Sequence, residues 1–431
     1  MVPLPTSSSD APSVPYSRGR IFAWTLFDFA NTAFSVIIVT VIYSRYFRDH
    51  VAGGQNWPWG LAVSLSMILA AAISPPLGAA ADYSHNRKQL LFLFTITSVA
   101  CTSLMFFVRE GMIFFGILLF VFANVGFEGG IVFYDAFLPG ITAKHTYGRV
   151  SGYGFAMGYM GALAVLLIVD LLLPESTNPE YLYFVRLSFV VAAAFFLIFS
   201  LPMFLWVPEP RSNQAKPAHM IRLGFSRATS TLKALFVKHE HPAIARFLIA
   251  FFLYNDAVLT VIAFAAIFAD EVLHMNDREI IAFFTIVQTS AIVGSFAFGL
   301  LTDKIGPKKT ITVTLAIWLA ITVGAFFVSS IPMFYVVGFG AGAAIGSSQS
   351  ASRSLMALLT PKEREAEFFG FYDGLCGKAS AVIGPPVYSL IADLTNQRLA
   401  VLFIGLFFLA GLVLLQGVAE PEHRRETSPA T

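Results

Sequence analysis

The chain has 431 residues, of which 56% are hydrophobic and 13% are charged. Soluble domains carry roughly 25% charged residues, so this composition excludes an ordinary soluble enzyme, a disordered protein and a nucleic-acid-binding protein. The formal net charge of +2 gives no reason to expect a polyanionic partner. A membrane-spanning helix needs about 20 apolar residues, and the mean hydropathy of +0.71 indicates a protein that crosses a membrane many times.

Twelve apolar runs follow one another along the chain. Because lipid cannot hydrogen-bond an open backbone, each run is predicted to be a transmembrane α-helix. The fold class is therefore an all-α polytopic membrane protein. Internal proline pairs at Pro75–Pro76 and Pro385–Pro386 predict kinks in spans 2 and 11. The predicted spans cover residues 21–46, 57–81, 89–108, 112–137, 150–174, 183–207, 244–269, 279–301, 310–328, 331–352, 368–391 and 399–418.

Lysine and arginine concentrate in the loops that follow the even-numbered spans. Since cytoplasmic loops carry the excess of these residues, both termini are predicted to be cytoplasmic and the protein to lie in the cell (inner) membrane. Residues 1–20 are rich in Ser and Pro and lack the apolar core of a signal peptide. We expect them to form a disordered cytoplasmic tail.

The chain repeats a loop pattern in its two halves, in which Gly is followed by Asp and then by a basic pair. The halves also end alike, in VPEPR and VAEPE. Two halves in the same orientation are the parallel-repeat plan of many secondary transporters. The matched residues are Gly78 with Gly299, Asp82 with Asp303, and Arg87–Lys88 with Lys308–Lys309. The predicted domains are two six-helix bundles at 21–207 and 244–418, a basic cytoplasmic linker at 208–243 and a cytoplasmic tail at 419–431.

Polar and charged residues inside the spans are candidates for a functional site, because an ionisable group at the bilayer centre costs at least ~2.5–3.5 kcal/mol. They concentrate in spans 1, 4, 7, 10 and 11. Asparagine and glutamine could equally serve as hydrogen-bonded contacts between helices. The candidate substrate or coupling site comprises Asp28, Asn31, Asn124, Glu128, Asn255, Asp256, Gln288 and Lys378.

Lys378 is the most unusual of these residues, because it lies deep in span 11. It is expected either in a buried structural ion pair or in a site for an anionic group, and both require a partner carboxylate. An α-helix turns by about 100° per residue, so Asp373 is predicted to point away from Lys378. We therefore expect Lys378 to share one cavity with Asp28, Glu128 and Asp256.

The paired loops resemble the signature loop of the major facilitator superfamily. The second copy matches it closely and the first lacks the second glycine, Gly306 in the second copy. The segments WTLFDFANTAFSVIIVTVIYSRYF, FYDAFLPGI, GRVSGYGFAMGYMGA and FFLYNDAV, together with the stretch from QSASRSLMALL to KASAVIGP, resemble the bacterial branch related to vacuolar effluxer permeases. This resemblance implies two rocking six-helix bundles around a central cavity and an association with amino-acid efflux. Span 4 lacks the Arg-x-x-Gln-Gly motif of proton-linked antiporters, which argues against a drug–proton antiporter.

The same resemblance implies a cytoplasmic gate at the signature loops, to which Arg353 at the inner mouth of span 10 is added. The gate residues are Gly78, Asp82, Arg87, Lys88, Gly299, Asp303, Gly306, Lys308, Lys309 and Arg353.

The leading hypothesis is a monomeric secondary transporter that moves a small solute by alternating access. An amino acid or similar zwitterion is the candidate solute, and a proton is the candidate coupling ion. The alternatives are an uncoupled uniporter and a membrane receptor or scaffold with the same fold. The sequence has no phosphate loop, metal-spaced His/Cys set or nucleophile triad. We therefore expect no enzymatic activity, cofactor, metal or nucleic-acid partner, and expect contacts with substrate, H⁺ and membrane lipid.

A topology test follows from the loop charges. Reporters fused after residue 215 and at the C-terminus should score cytoplasmic, and a reporter near residue 274 should score external, because the basic loops remain inside. Paired alkaline phosphatase and fluorescent-protein fusions measure this directly. An external signal at residue 215 would refute the orientation.

Overall fold

In a computed structural model, which describes residues 17–175, 177–209, 220–380 and 383–420, the chain is built of long helices. Within those ranges it contains no strand. Most of the predicted tails, residues 1–16 and 421–431, lies outside the described residues. The first six spans are Arg18–Val51, Trp57–Ser84, Arg87–Phe107, Ile113–Asp135, Lys144–Leu172 and Tyr181–Trp206. The later spans include Pro242–Leu273, Asp277–Ile305, Pro307–Phe327, Ile331–Leu359 and Gln397–Gln416.

Span 11 is interrupted, and so the described residues contain 11 helices that are long and apolar enough to cross a membrane. It begins as an α-helix at Glu365–Phe369 and widens into a π-helix at Gly370–Gly377. A separate α-helix follows at Gly384–Leu394. The predicted kink at Pro385–Pro386 is therefore wrong. These prolines lie in the first turn of a new helix, where a missing N–H is tolerated.

Each half of the molecule repeats the same helix packing. In the first half, span 1 packs against spans 5 and 6, and span 3 packs against spans 4 and 6. In the second half, span 7 packs against span 12, and span 9 packs against spans 10 and 12. Between the halves, span 2 contacts span 11, and span 8 contacts span 5. These two contacts are thus equivalent under the repeat.

The shared sequence at the end of each half has a structural cause. Lys88 Nζ donates a hydrogen bond to the carbonyl of Val207 at 2.6 Å, and Lys308 Nζ donates to the carbonyl of Val418 at 2.7 Å. These contacts pair Lys88 with Lys308, so the expected match of Arg87–Lys88 with Lys308–Lys309 is wrong by one residue. We call each contact a lysine clamp. It joins the last span of a half to the third span of that half.

The glutamate of each terminal motif lies beside the same clamp. Glu209 Oε2 accepts a hydrogen bond from the backbone N–H of Lys88 at 3.0 Å, and burial raises the pKa of its carboxyl group. In the second half, the carboxylate of Glu420 lies against Gly306, which has a φ of 92°. Only glycine adopts this φ without strain, which accounts for the second signature glycine.

A helix at Met220–Phe236 lies between the two halves in sequence and packs against span 2. Gly224 contacts the carbonyl of Pro76, and the guanidinium of Arg227 lies 4.5 Å from the centre of the Tyr83 ring. Thr231 is buried and hydrogen-bonds to Glu367 at the start of span 11. This linker helix therefore contacts both halves.

The lysine clamps predict a difference between neighbouring lysines. Lys308→Met should lower the free energy of unfolding by about 1–3 kcal/mol, because two carbonyls at the end of span 12 lose a charged donor. Lys309 is exposed, so Lys309→Met is the matched control and should be near neutral. Thermal unfolding of the purified protein in detergent measures both, and equal effects would contradict the clamp.

Candidate functional site

The buried charges of the spans form separate groups, so the expectation of one cavity shared by Asp28, Glu128, Asp256 and Lys378 is wrong. Lys378 contacts Glu128 and Asp373, which we call the central triad. Arg353 contacts Asp28 and Asp135, which we call the arginine cluster. Asp256 makes no ion pair among the described residues.

The central triad joins the two halves. The ammonium of Lys378 in span 11 forms an ion pair with the carboxylate of Glu128 in span 4. It also lies 3.2 Å from Asp373 Oδ2. The exposed fraction of the side chain is 13% for Lys378, 10% for Glu128 and 21% for Asp373, so water or a solute can reach them. One cation therefore faces two carboxylates at the interface between the halves.

The contact with Asp373 corrects the prediction that this residue points away from Lys378. That prediction assumed α-helical geometry. The intervening Gly370–Gly377 segment is a π-helix, in which the backbone hydrogen bond joins residues five apart and brings them to the same face. π-Helical turns occur frequently at functional sites. The π-helical segment is therefore a second reason to regard the central triad as a candidate functional site.

The glycines around Glu128 serve helix packing. Gly126 and Gly129 lie against Phe94 of span 3, and Gly130 also contacts the Phe94 side chain. These glycines therefore allow span 4 to approach span 3 closely.

The arginine cluster also crosses between the halves. Arg353 is 1% exposed. Its Nη1 lies 2.8 Å from Asp135 Oδ1 and 3.3 Å from Asp28 Oδ2. Its Nε donates to Ser151 Oγ at 2.9 Å. Because the cluster draws on spans 1, 4, 5 and 10, it fixes the second half against three helices of the first.

Aromatic rings complete the shell around this guanidinium. Arg353 lies 4.9 Å from the Trp24 ring centre and 4.1 Å from that of Phe155, in cation–π geometry. The hydroxyl of Tyr134 donates to Asp28 Oδ2 at 2.8 Å. The predicted site did not include Tyr134, Asp135 or Ser151. Asp135 carried a signal as a charge near the end of span 4, whereas Tyr134 and Ser151 carried none.

The amide residues of the predicted site are dispersed. Asn124 Nδ2 donates to Ser66 Oγ of span 2 at 2.8 Å, which is a contact between helices. Asn255 Nδ2 donates to Ser380 Oγ of span 11 at 2.5 Å. Asn31 is buried next to the Asp28 carboxyl group. Asn124 and Asn255 therefore connect helices, whereas Asn31 contacts Asp28 of its own helix.

Gln288 lies instead in an apolar cavity of about 280 Å³ in the second half. Tyr159 reaches this cavity from the first half, and its hydroxyl donates to Gln349 Oε1 at 2.6 Å. Gln349 lies one turn before Arg353 on span 10. The cavity is close to the 300–1,000 Å³ typical of small-molecule sites and is lined largely by Phe264, Phe268, Phe283, Phe284, Phe334, Trp318 and Tyr388.

The signature loop of the first half contacts the second half. Asp82 accepts hydrogen bonds from the backbone N–H groups of Ala366 and Glu367, at 3.0 and 2.8 Å, and so caps the start of span 11. Arg87 Nε lies 2.7 Å from Asp82 Oδ1, and its Nη2 lies 2.5 Å from Glu365 Oε2. Gly78 lets the carbonyl of Ala366 approach span 2.

The signature loop of the second half makes the equivalent contact with the first. Asp303 Oδ1 accepts from the backbone N–H of Arg149 at 3.2 Å, and Oδ2 lies 2.5 Å from Arg149 Nε. Gly299 packs against Gly148 and Gly152 of span 5. Both contacts lie at the end of the bundle that carries the signature loops, which we call the basic end. The halves are therefore joined at the basic end, while Lys308 and Lys309 do not contact the other half in any described hydrogen bond or ion pair.

Residues 60–428 match the family described as "Vacuole effluxer Atg22 like". The chain is 29% identical over 409 residues to "Uncharacterized MFS-type transporter YxiO" of Bacillus subtilis, covering 92% of this chain and 94% of that one. It is 25% identical over 418 residues to "Autophagy-related protein 22" of Yarrowia lipolytica, covering 78% of this chain and 70% of that one. The structure of the proton:xylose symporter XylE aligns with a TM-score of 0.72 at 14% identity over 95% of this chain and 97% of that one. The chain therefore belongs to the vacuole effluxer Atg22-like family of membrane transporters and has the twelve-helix fold of the major facilitator superfamily.

Proposed function

We propose that this protein is a secondary transporter that moves a small zwitterionic solute by alternating access, coupled to protons through the central triad. The observation that carries the proposal is the ion pair between Lys378 of the second half and Glu128 of the first. A charge pair that joins two moving bodies must separate or be exchanged when they move. A solute with an ammonium and a carboxylate group offers a partner to each member of the pair.

The charge balance supports proton coupling. The central triad and the arginine cluster together contain the two cations Lys378 and Arg353 and four carboxylates. Because uncompensated charge away from water is costly, this excess of negative charge favours the uptake of protons. Glu128 is the proposed carrier, since its cationic partner is the one that the solute carboxylate would engage. The XylE structure is that of a proton symporter by its own description.

The apolar cavity supports a solute with an apolar group. It lies beside the Tyr159–Gln349 contact, one turn from Arg353, and offers mainly ring surfaces with the amide of Gln288. A zwitterion with an apolar side chain would place its charges at the triad and its side chain in this cavity. An amino acid is the simplest such solute.

The two Asp-capped contacts at the basic end are the proposed cytoplasmic gate. Their equivalence in the two halves favours a moving interface over a static receptor or scaffold, because a symmetric pair can release together when the halves rock. An uncoupled uniporter would need the same gate but no pH-dependent carboxylate. The measurements below therefore separate the two transport alternatives.

The gate predicts a change in accessibility. Asp82→Asn and Asp303→Asn should each weaken a helix cap and shift the population toward a conformation open at the basic end. Ser354 is 1% exposed and donates to the carbonyl of Tyr147 across the interface. In a background without Cys101 and Cys376, maleimide labelling of Ser354→Cys should rise about tenfold, the factor that corresponds to about 1.4 kcal/mol.

The matched control for this experiment is Asp170→Asn, at an exposed carboxylate on span 5 away from the gate. It should leave the labelling rate unchanged. Equal labelling in the control and both gate variants would contradict the gating role of the signature aspartates.

The central triad predicts separable losses in proteoliposomes. Lys378→Met should abolish uptake of labelled amino acids driven by a pH gradient, because removing one member of a buried pair leaves an uncompensated charge at a cost of about 3–5 kcal/mol. Glu128→Gln should retain solute exchange at equal concentrations and lose its pH dependence. Asp373→Asn keeps the Lys378–Glu128 pair and should retain gradient-driven uptake at a reduced rate.

The control is Asp393→Asn, at an exposed carboxylate near the end of span 11. It should transport as the unchanged protein does. If Lys378→Met transports normally at every pH, the coupling proposal fails. If Glu128→Gln keeps its full pH dependence, another group carries the proton.

A further inference from the structure

Asp256 is a buried carboxylate that neither the central triad nor the arginine cluster uses. It lies in span 7 and is fully buried. Its oxygens face the backbone N–H groups of Ile383 and Gly384, where the second helix of span 11 begins. Neither oxygen completes a well-aligned hydrogen bond within the described part of the chain.

Two other carboxylates at helix starts show what a compensated site looks like. Asp82 accepts from the second and third N–H groups of its helix and pairs with Arg87. Asp303 accepts from the N–H of Arg149, the third residue of its helix, and pairs with the side chain of the same residue. Each of these carboxylates therefore has backbone donors and a cation.

Asp256 has no cation partner among the described residues, and the backbone N–H groups that it faces, those of Ile383 and Gly384, complete no well-aligned hydrogen bond. The helix Gly384–Leu394 has Pro385 and Pro386 as its second and third residues. A capping carboxylate normally accepts from the N–H groups at these positions, and proline has none. A helix start carries a partial positive charge of about half an elementary charge. At this helix start, the second and third N–H groups that would normally donate to the carboxylate are missing.

The charged groups on the elements around span 7 are engaged elsewhere or lie near the span ends. Lys378 and Asp373 of span 11 belong to the central triad, and Arg353 of span 10 belongs to the arginine cluster. Arg398 of span 12 donates to the carbonyl of Phe326. The nearby tyrosines are also bonded, Tyr254 to Ser352 and Tyr388 to Gln397. Asp270 and Glu271 lie near the far end of span 7, Arg246 lies near its start, and Asp393 lies near the end of span 11.

Oxygen and hydroxyl groups adjoin the carboxylate. Thr260, one turn along span 7, donates to the backbone carbonyl of Asp256 at 2.7 Å, which leaves its oxygen lone pairs free. A Cβ at Gly384 would meet both Thr260 Oγ1 and Asp256 Oδ2, so the two groups lie on the same side of the break. In several transporter folds, substrate and coupling-ion sites are formed by interrupted helices.

We propose that Asp256, Thr260 and the start of the helix Gly384–Leu394 form a second site, separate from the central triad, that binds one monovalent cation, either H⁺ or Na⁺. Binding neutralises a carboxylate that the fold leaves without a counter-charge. The inference rests on the proposed transport function only in giving the cation a coupling role, since binding itself requires no solute. The prolines act by keeping the ionised carboxylate poorly solvated, which strengthens cation binding.

The test uses the purified full-length protein in nanodiscs without solute. In the proton arm, infrared difference spectra across a pH titration should show a buried carboxylic-acid band that Asp256→Asn removes and Glu128→Gln retains. In the sodium arm, NaCl should raise the thermal unfolding midpoint of the unchanged protein and of Glu128→Gln, but not that of Asp256→Asn. Choline chloride at equal concentration is the ionic-strength control.

A second variant keeps the carboxylate and changes its surroundings. Pro386→Ala restores the third N–H of the helix, and a hydrogen bond to the charged form should weaken cation binding about tenfold. The acid band should then titrate away at lower pH, or a higher NaCl concentration should be needed for the same stabilisation. This variant decides the question if Asp256→Asn does not fold.

The proposal is overturned if Asp256→Asn and Pro386→Ala both respond to pH and NaCl as the unchanged protein does. That result would leave the central triad untouched. Conversely, normal transport by the Lys378 and Glu128 variants would remove the proposed coupling at the triad, and the cation binding at Asp256 would still be measurable.

Discussion

The structure depends on the placement of two cations, Lys378 and Arg353, each of which pairs with at least one carboxylate of the opposite half inside a bundle that the membrane surrounds. Each charge is stable there only because its partners lie within ion-pair distance. Those partners come from spans 1, 4 and 11. The same electrostatic requirement that keeps the charges in the membrane therefore specifies how the two halves face each other in this conformation.

The architecture could be predicted from the sequence to a large extent, because the membrane limits the chain to apolar helices and the repeat fixes their arrangement. The twelve-helix fold and the family relationship are both confirmed. The interruption of span 11 was not predicted. Hydropathy registers only apolar length, and nothing in the residues of Gly370–Gly377 distinguishes a π-helix from an α-helix before the tertiary contacts are known.

The charged residues were identifiable, but their partners were not. Asp28, Glu128, Asp256 and Lys378 were recognised because an ionisable group in a span is costly. Their grouping depends on helix rotation and depth, and these are set by packing that single-helix geometry does not contain. Asp373 illustrates this point, since the change from α- to π-helical turns reverses the side of the helix on which it lies. The roles of these residues in transport stay predictions.

The lysine clamps have a mechanical consequence. In each half, the same loop contacts the other half through an aspartate and connects the ends of two helices of its own half through a lysine. The two residues are close in sequence: Lys88 follows Asp82 by six residues, and Lys308 follows Asp303 by five. A force applied at the interface is thus delivered to the whole half, because the outer helices cannot lag behind the inner ones. Each half should consequently rotate as a rigid body, with little sliding between its own helices.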